Sequence, residues 1–172
     1  WSYPKQDDPS AQRADYVRKM AALIDGAVAE YGVVPIIFNQ VSDDIGIAWE
    51  IAQAAEGKVS VDETSHEPRA LRALISRAEV FVGTRFHSCI FAMMAGRPTV
   101  AISYLPKTAY ILADLGLFGR HVSINDLDVA SLSRLIRHDL ENVALAESEI
   151  REAVSAYKSN YLRLSDYLVA LL

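Results

Sequence analysis

Short runs of nearly uninterrupted apolar residues alternate along this chain with stretches whose apolar side chains recur every three to four positions. The clearest runs are Val33–Phe38, Glu79–Val82 and Pro98–Ser103, with shorter ones at Lys58–Val61 and His121–Ile124. Runs of this length fit strands better than helices. A strand apolar on both faces needs cover on both, as inside a parallel sheet, so Val33–Phe38 is expected to be sandwiched. The stretches between them read as helices. Tyr16, Met20, Leu23, Ile24, Ala27 and Val28 follow a start at Asp8-Pro9-Ser10, and Ile45, Ala48, Ile51, Ala52 and Ala55 form a second set. Leu71, Leu74, Ile75 and Ala78 follow Pro68, and further helices are expected over Ser88–Ala95, Thr108–Leu115 and about Asp128 to Leu140. Gly32, Gly57, Gly96 and Gly116 stand where helices stop, as glycine at a helix C-terminus does. Strands alternating with helices at this spacing require right-handed crossovers, and the fold class is therefore α/β, a doubly wound parallel sheet of Rossmann-like type.

Such a sheet usually begins on a strand, whereas this sequence begins on a loop and a helix. A first strand is therefore expected to lie outside it. Residues 1–142 are expected to form the Rossmann-like domain and 143–172 a long amphipathic C-terminal helix. Its stripe is Ile150, Val154, Tyr157, Tyr161, Leu164, Leu168 and Leu171.

A net charge of −5, with no run of Lys or Arg, argues against a nucleic-acid backbone or an anionic membrane as partner. No apolar run approaches the roughly 20 residues that a bilayer span needs. The single cysteine, Cys89, allows no intrachain disulfide, so the expected location is the cytoplasm, free or at the inner face of the membrane. His66, His87, His121 and His138 show no paired spacing for a metal, and none is expected. There is no G-x-G-x-x-G, P-loop or G-x-S-x-G motif, which leaves dinucleotide, NTPase and hydrolase readings without their phosphate cradle or nucleophile elbow.

In an open parallel sheet, ligands bind beyond the carboxyl ends of the strands, where loops enter helix N-termini with unpaired amides. The polar residues obey this rule. Asn39, Gln40, Ser42 and Asp43 follow one strand, Thr84, Arg85 and His87 another, Tyr104 and Lys107 a third, and Asn125 and Asp126 a fourth. A guanidinium and an ammonium beside a helix N-terminus form a trap for a phosphate or a carboxylate. Arg85 offers a planar fork for bidentate binding, Lys107 a compact charge, and His87 a group able to give or take a proton near neutral pH. Each has an ordinary alternative: His87 as a structural hydrogen-bonder, Arg85 as a carbonyl cap, Lys107 as a solvated side chain. Cys89 falls on the far side of its helix from His87 and is expected in the core.

The segment Val82-Gly83-Thr84-Arg85-Phe86-His87-Ser88, followed by Ile90-Phe91-Ala92, Ala95-Gly96-Arg97-Pro98 and Ser103-Tyr104 to Lys107, resembles the signature of the polysaccharide pyruvyl transferases. The resemblance implies the C-terminal half of a two-domain, GT-B-like fold whose N-terminal partner domain lies outside this chain. In that family an Arg-Leu/Phe-His motif and a downstream lysine serve the active site, and they fall here on Arg85, His87 and Lys107. The resemblance further implies transfer of a pyruvyl group from phosphoenolpyruvate to two hydroxyls of a sugar, on a cell-surface polysaccharide or its precursor. No cofactor is implied, and the acceptor is a sugar or a lipid-linked saccharide. Thr84, Ser88, Tyr104, Gln40 and Asn125 are the expected donor-binding residues. The competing readings are a GT-B glycosyltransferase using a nucleotide sugar and a non-catalytic module for an anionic ligand, since fold alone does not fix chemistry.

Overall fold

The strand Thr99–Ser103 is buried along its whole length, and its alternate side chains enter two different cores. Val100 and Ile102 pack with Tyr16, Leu23, Ile47 and Leu132, whereas Ala101 packs with Ile75, Phe81, Leu112 and Ile150. Side chains alternate across a strand, so helices must cover both of its faces, as in a doubly wound domain.

The computed structural model describes residues 9–57 and 59–169, with side chains described from 10 to 162 within those bounds. The helices are α1 (Pro9–Tyr31), α2 (Ile45–Ala54), α3 (Pro68–Ile75), α4 (Phe86–Met94), α5 (Pro106–Asp114), α6 (Val129–Glu141) and α7 (Val143–Val169). The strands are β1 (Ile36–Phe38), β2 (Ser60–Asp62), β3 (Phe81–Gly83), β4 (Thr99–Ser103) and β5 (His121–Ser123), with 3₁₀ turns at Ser42–Asp44, Phe118–Arg120 and Ile124–Asp126. The strands form two parallel sheets, β1-β2 and β3-β4-β5. Ile37 pairs with Val61 in the first, while Val82 pairs with Val100 and Ile102 with Val122 in the second. Helices α1, α2 and α6 contribute to one core and α3, α4, α5 and α7 to the other.

The α/β parallel class expected from the sequence is the one observed, with the strands hydrogen-bonded in two groups. Three details differ from expectation. The run Val33–Phe38 is strand only over Ile36–Phe38, and it is not covered on both faces: Val34 is 81% and Ile36 53% exposed. The strand expected over Glu79–Val82 is shifted to Phe81–Gly83. Helices α4 and α5 each start earlier than periodicity indicates, which draws His87 and Lys107 into first turns rather than loops. Pro106 explains the second case, because its fixed φ suits the first helical position and its missing N–H costs nothing there. The Asp8 and Lys58 ends of two expected elements lie outside the described residues.

Two glycines are required by close approach. A Cβ on Gly83 would fall 2.5 Å from the Phe81 ring and 2.7 Å from Cys89 Sγ. Gly96, at φ +70°, ends α4, and a Cβ there would meet the Arg151 side chain of α7 at 2.6 Å. Helix α7 packs on α4 and α6 through Ala146 and Ile150, both fully buried. Farther along the stripe Tyr157 and Tyr161 are exposed, and Leu164, Leu168 and Leu171 lie outside the described side chains. A buried ion pair ties this end of the molecule together: Arg120 Nη1 lies 2.7 Å from Asp139 on α6, and its Nη2 lies 2.9 Å from Glu149 on α7. Burial opposes the Arg120 charge, and the hydrogen bonds to Asp139 and Glu149 outweigh it, leaving its pKa raised.

Candidate functional site

The chain leaves β3 at Gly83, bends through Thr84 and Arg85, and enters α4 at Phe86. Arg85 holds the N-cap position in an extended conformation, with φ −87° and ψ 130°, and no side chain caps the helix. Its carbonyl accepts the Cys89 N–H at 3.1 Å and the Ser88 hydroxyl at 2.8 Å. The first-turn amides of α4 therefore open toward the rim without a side-chain partner.

The Arg85 guanidinium makes a two-point contact with Asp44, Nε to Oδ2 at 2.8 Å and Nη2 to Oδ1 at 2.7 Å. Its Nη1 reaches the Tyr104 hydroxyl at 3.4 Å. Asp44 lies in the 3₁₀ turn between β1 and α2, and Tyr104 lies in the loop between β4 and α5, so one arginine joins the loops that follow three strands. The hydrogen bonds it donates to the Asp44 carboxylate raise the Arg85 pKa above its already high ordinary value. The fork expected to be free for a ligand is thus already filled along its Nε–Nη2 edge, which leaves the Nη1 side. Sequence reading passed over Asp44 in favour of its neighbour Asp43, which is exposed. The usable signal was a carboxylate following one strand opposite an arginine following another.

Phe86 gathers the other two groups. The His87 ring meets it edge-on, with centroids 5.4 Å apart and planes at 75°. Lys107 Nζ lies 4.7 Å from the centre of the same ring, within cation–π range. His87 and Lys107 are both exposed, and no ion pair of Lys107 is found among the described residues. The imidazole and the ammonium thus share one aromatic ring at the uncapped start of α4, one residue from Arg85.

The remaining expected residues fall into distinct settings. Tyr104 contacts Arg85 as given above, and Thr84 and Gln40 line a crevice that runs between β1 and β3. Gln40 Oε1 and Asn39 Nδ2 are shielded from solvent and have no hydrogen-bond partner among the described residues. Ser88 is buried and its hydroxyl is committed to the Arg85 carbonyl. Asn125 stands in the 3₁₀ turn after β5, across β4 from the Arg85 loop, and its backbone N–H donates to Ser123 Oγ at 3.2 Å. Cys89 is in the core, where burial pushes its thiol up to about 12. His121 pairs with Ser103 at the end of β4, and burial lowers its pKa. Among the described residues no group of His, Cys, Asp and Glu is arranged to hold a metal ion, and no helix is long and apolar enough to cross a membrane.

The family model of the polysaccharide pyruvyl transferases matches residues 3–106, a span that holds Gln40, Asp44, Arg85, His87 and Tyr104 and stops one residue before Lys107. Over 84 residues, 49% of this chain, it is 31% identical to the amylovoran biosynthesis protein AmsJ of Erwinia amylovora. The matched stretch is 20% of that relative's length. No solved structure matches.

Proposed function

Because this chain belongs to the polysaccharide pyruvyl transferase family, we propose that it carries the donor-binding part of an enzyme that moves a pyruvyl group from phosphoenolpyruvate onto a sugar of an extracellular polysaccharide or its precursor. The observation that carries this reading is the meeting of His87 and Lys107 on the Phe86 ring, at the uncapped start of α4 and beside Arg85.

Phosphoenolpyruvate brings a phosphate and a carboxylate, and moving such charge out of water is costly unless fixed cations and amide dipoles replace the water. The first-turn amides of α4 and the Lys107 ammonium supply those for the phosphate, as helix N-termini do elsewhere. Arg85, oriented by Asp44, presents Nη1 to the donor carboxylate, and the Tyr104 hydroxyl adds a hydrogen bond beside it. In the reaction a proton adds to the donor's methylene carbon, and one sugar hydroxyl bonds to the carbon that carries the phosphate. Phosphate then leaves, and a second hydroxyl closes the cyclic ketal. Of the two hydroxyl protons released, one balances the methyl group formed and the other leaves with phosphate or solvent. His87 is exposed on the rim and suited to relay one of these protons, a role that contributes about 10²–10⁴-fold to rate. Lys107 stabilises the departing phosphate as charge builds on it.

The test uses the full-length enzyme that contains this chain. His87→Ala should lower kcat by about 100-fold or more while leaving phosphoenolpyruvate affinity near its starting value. Lys107→Met should weaken donor binding and turnover together. Calorimetric titration with phosphoenolpyruvate and with UDP supplies the discriminating control. Heat from UDP and none from phosphoenolpyruvate would sink the proposal, as would full turnover by the His87→Ala variant.

A further inference from the structure

The crevice beside β1 and β3 has a volume of about 800 Å³, inside the range of about 300–1,000 Å³ usual for small-ligand clefts. Much of its lining is apolar. At one end, Asn39 and Gln40, which follow β1, share it with Thr84 and Arg85, which follow β3. The two-point contact of Asp44 with Arg85 ties these loops together. Asn39 Nδ2 and Gln40 Oε1 are closed off from solvent, and neither has a hydrogen-bond partner among the described residues. A buried polar atom without a partner is costly to fold around, so two on successive residues at the end of a cleft point to a group from outside the fold. The terminal amide torsions of Asn and Gln are soft, and a turn of each carboxamide brings these atoms to the open space that both side chains line.

We infer that Asn39 and Gln40 hold the acceptor sugar, each carboxamide pairing with one of the two hydroxyls that become the ketal. The argument rests on which groups a carboxamide can satisfy. A carboxamide offers an N–H donor and a C=O acceptor, whereas a carboxylate or a phosphate dianion only accepts. An anion therefore leaves the C=O of Gln40 unpaired. A hydroxyl does both, accepting from Asn39 Nδ2 or donating to Gln40 Oε1, and two neighbouring hydroxyls match two neighbouring carboxamides. On this side of Arg85 the guanidinium is already neutralised by Asp44, which leaves no free cation there to draw an anion. Gln40 thus moves from the donor, for which the sequence suggested it, to the acceptor, and Asn39 joins it.

Arg85 then stands between the two substrates. Its Nη1 side, toward Tyr104, is the one proposed above for the donor carboxylate, and its Nε–Nη2 edge is held by the turn that carries Asn39 and Gln40. The acceptor hydroxyls come up to the donor from the Asp44 side. In naming the sugar as acceptor the inference rests on the transfer reaction proposed above, whereas a site for neighbouring hydroxyls rests on the two carboxamides alone.

Binding to the full-length protein that contains this chain tests the assignment. The probes are methyl glucoside, methyl mannoside and methyl galactoside, whose neighbouring hydroxyls differ in orientation, read by saturation-transfer NMR alongside calorimetry with phosphoenolpyruvate. Asn39→Leu and Gln40→Met together remove the hydrogen-bonding groups at nearly constant volume. The double variant should bind hexoside about tenfold or more weakly and keep its phosphoenolpyruvate affinity within about twofold. It should melt no lower than the parent, since the atoms removed have no partners in the fold. Absence of hexoside binding by the parent overturns the inference, and so does unchanged hexoside binding by the double variant. Loss of phosphoenolpyruvate affinity in its place, or binding of uridine and of no hexoside, overturns it too. A midpoint lowered by several degrees does the same, because the two side chains are then paired within the protein. Hexoside binding that depends on Asn39 and Gln40, in a protein that gives no heat with phosphoenolpyruvate, upholds the sugar site and sinks the transfer reading alone.

Discussion

The β3-β4-β5 sheet and the β1-β2 sheet have similar sequence patterns and very different surroundings. In the first, Val100, Ala101 and Ile102 are 0% exposed and helices cover both faces. In the second, Ile36 is half exposed, and the free edge of β1 borders a crevice. The ion pairs follow the same division. Arg120 is locked to a nearly inaccessible Asp139, whereas α1 and α2 are joined by Arg13 and Glu50 at 2.7 Å on the open surface. A buried pair is costly to break because the abandoned charge has no water to turn to, whereas an exposed pair contributes about 0–1 kcal/mol. An apolar run makes a strand, and the neighbours it finds determine how much that strand is worth.

Substitutions that treat the two sheets unequally sharpen the contrast. The largest effect is expected from Asp139→Ala, which leaves Arg120 buried without its main partner and should cost about 3–5 kcal/mol in a denaturant titration. A loss below about 1 kcal/mol would place that pair in the same class as Arg13–Glu50. Next comes the matched pair Ile102→Ala and Ile36→Ala. The first should cost about 2–5 kcal/mol, and the second should stay within about 0.5 kcal/mol in this chain. Equal losses would erase the distinction between the sheets.

The smallest effect is expected from pH. Burial holds the His121 pKa below its ordinary 6.5, so the folded protein binds this proton less readily than the unfolded chain does. The stabilising contribution is present above the unfolded value and is lost as pH falls through it toward the folded one. Thermal midpoints measured from about pH 7.5 down to about pH 5 should therefore fall with pH, and His121→Gln should flatten that slope. An unchanged slope in the variant would assign the pH dependence to other groups.

The sequence pattern was enough to read the alternation of elements and the rim at which the polar residues gather. Arg85 and His87 could be located because they follow a strand and precede a helix whose residues carry no charge. The Asp44 partner of Arg85 was hidden because the two lie 41 positions apart and nothing local marks their approach. The Phe86 ring was also missed as a meeting point, since an aromatic between two candidate residues reads as core until its face is seen to carry Lys107.

By itself the sequence determined the α/β class, the parallel strands, the helix stops and the loops after the strands in which the candidate residues lie, because these follow from short-range periodicity and from where turn residues fall. Only the tertiary structure decided which strands are covered, which edge of the Arg85 guanidinium is left for a ligand, and where the sheet is open. Those outcomes depend on contacts between residues distant in the chain, and short-range periodicity carries no record of such contacts.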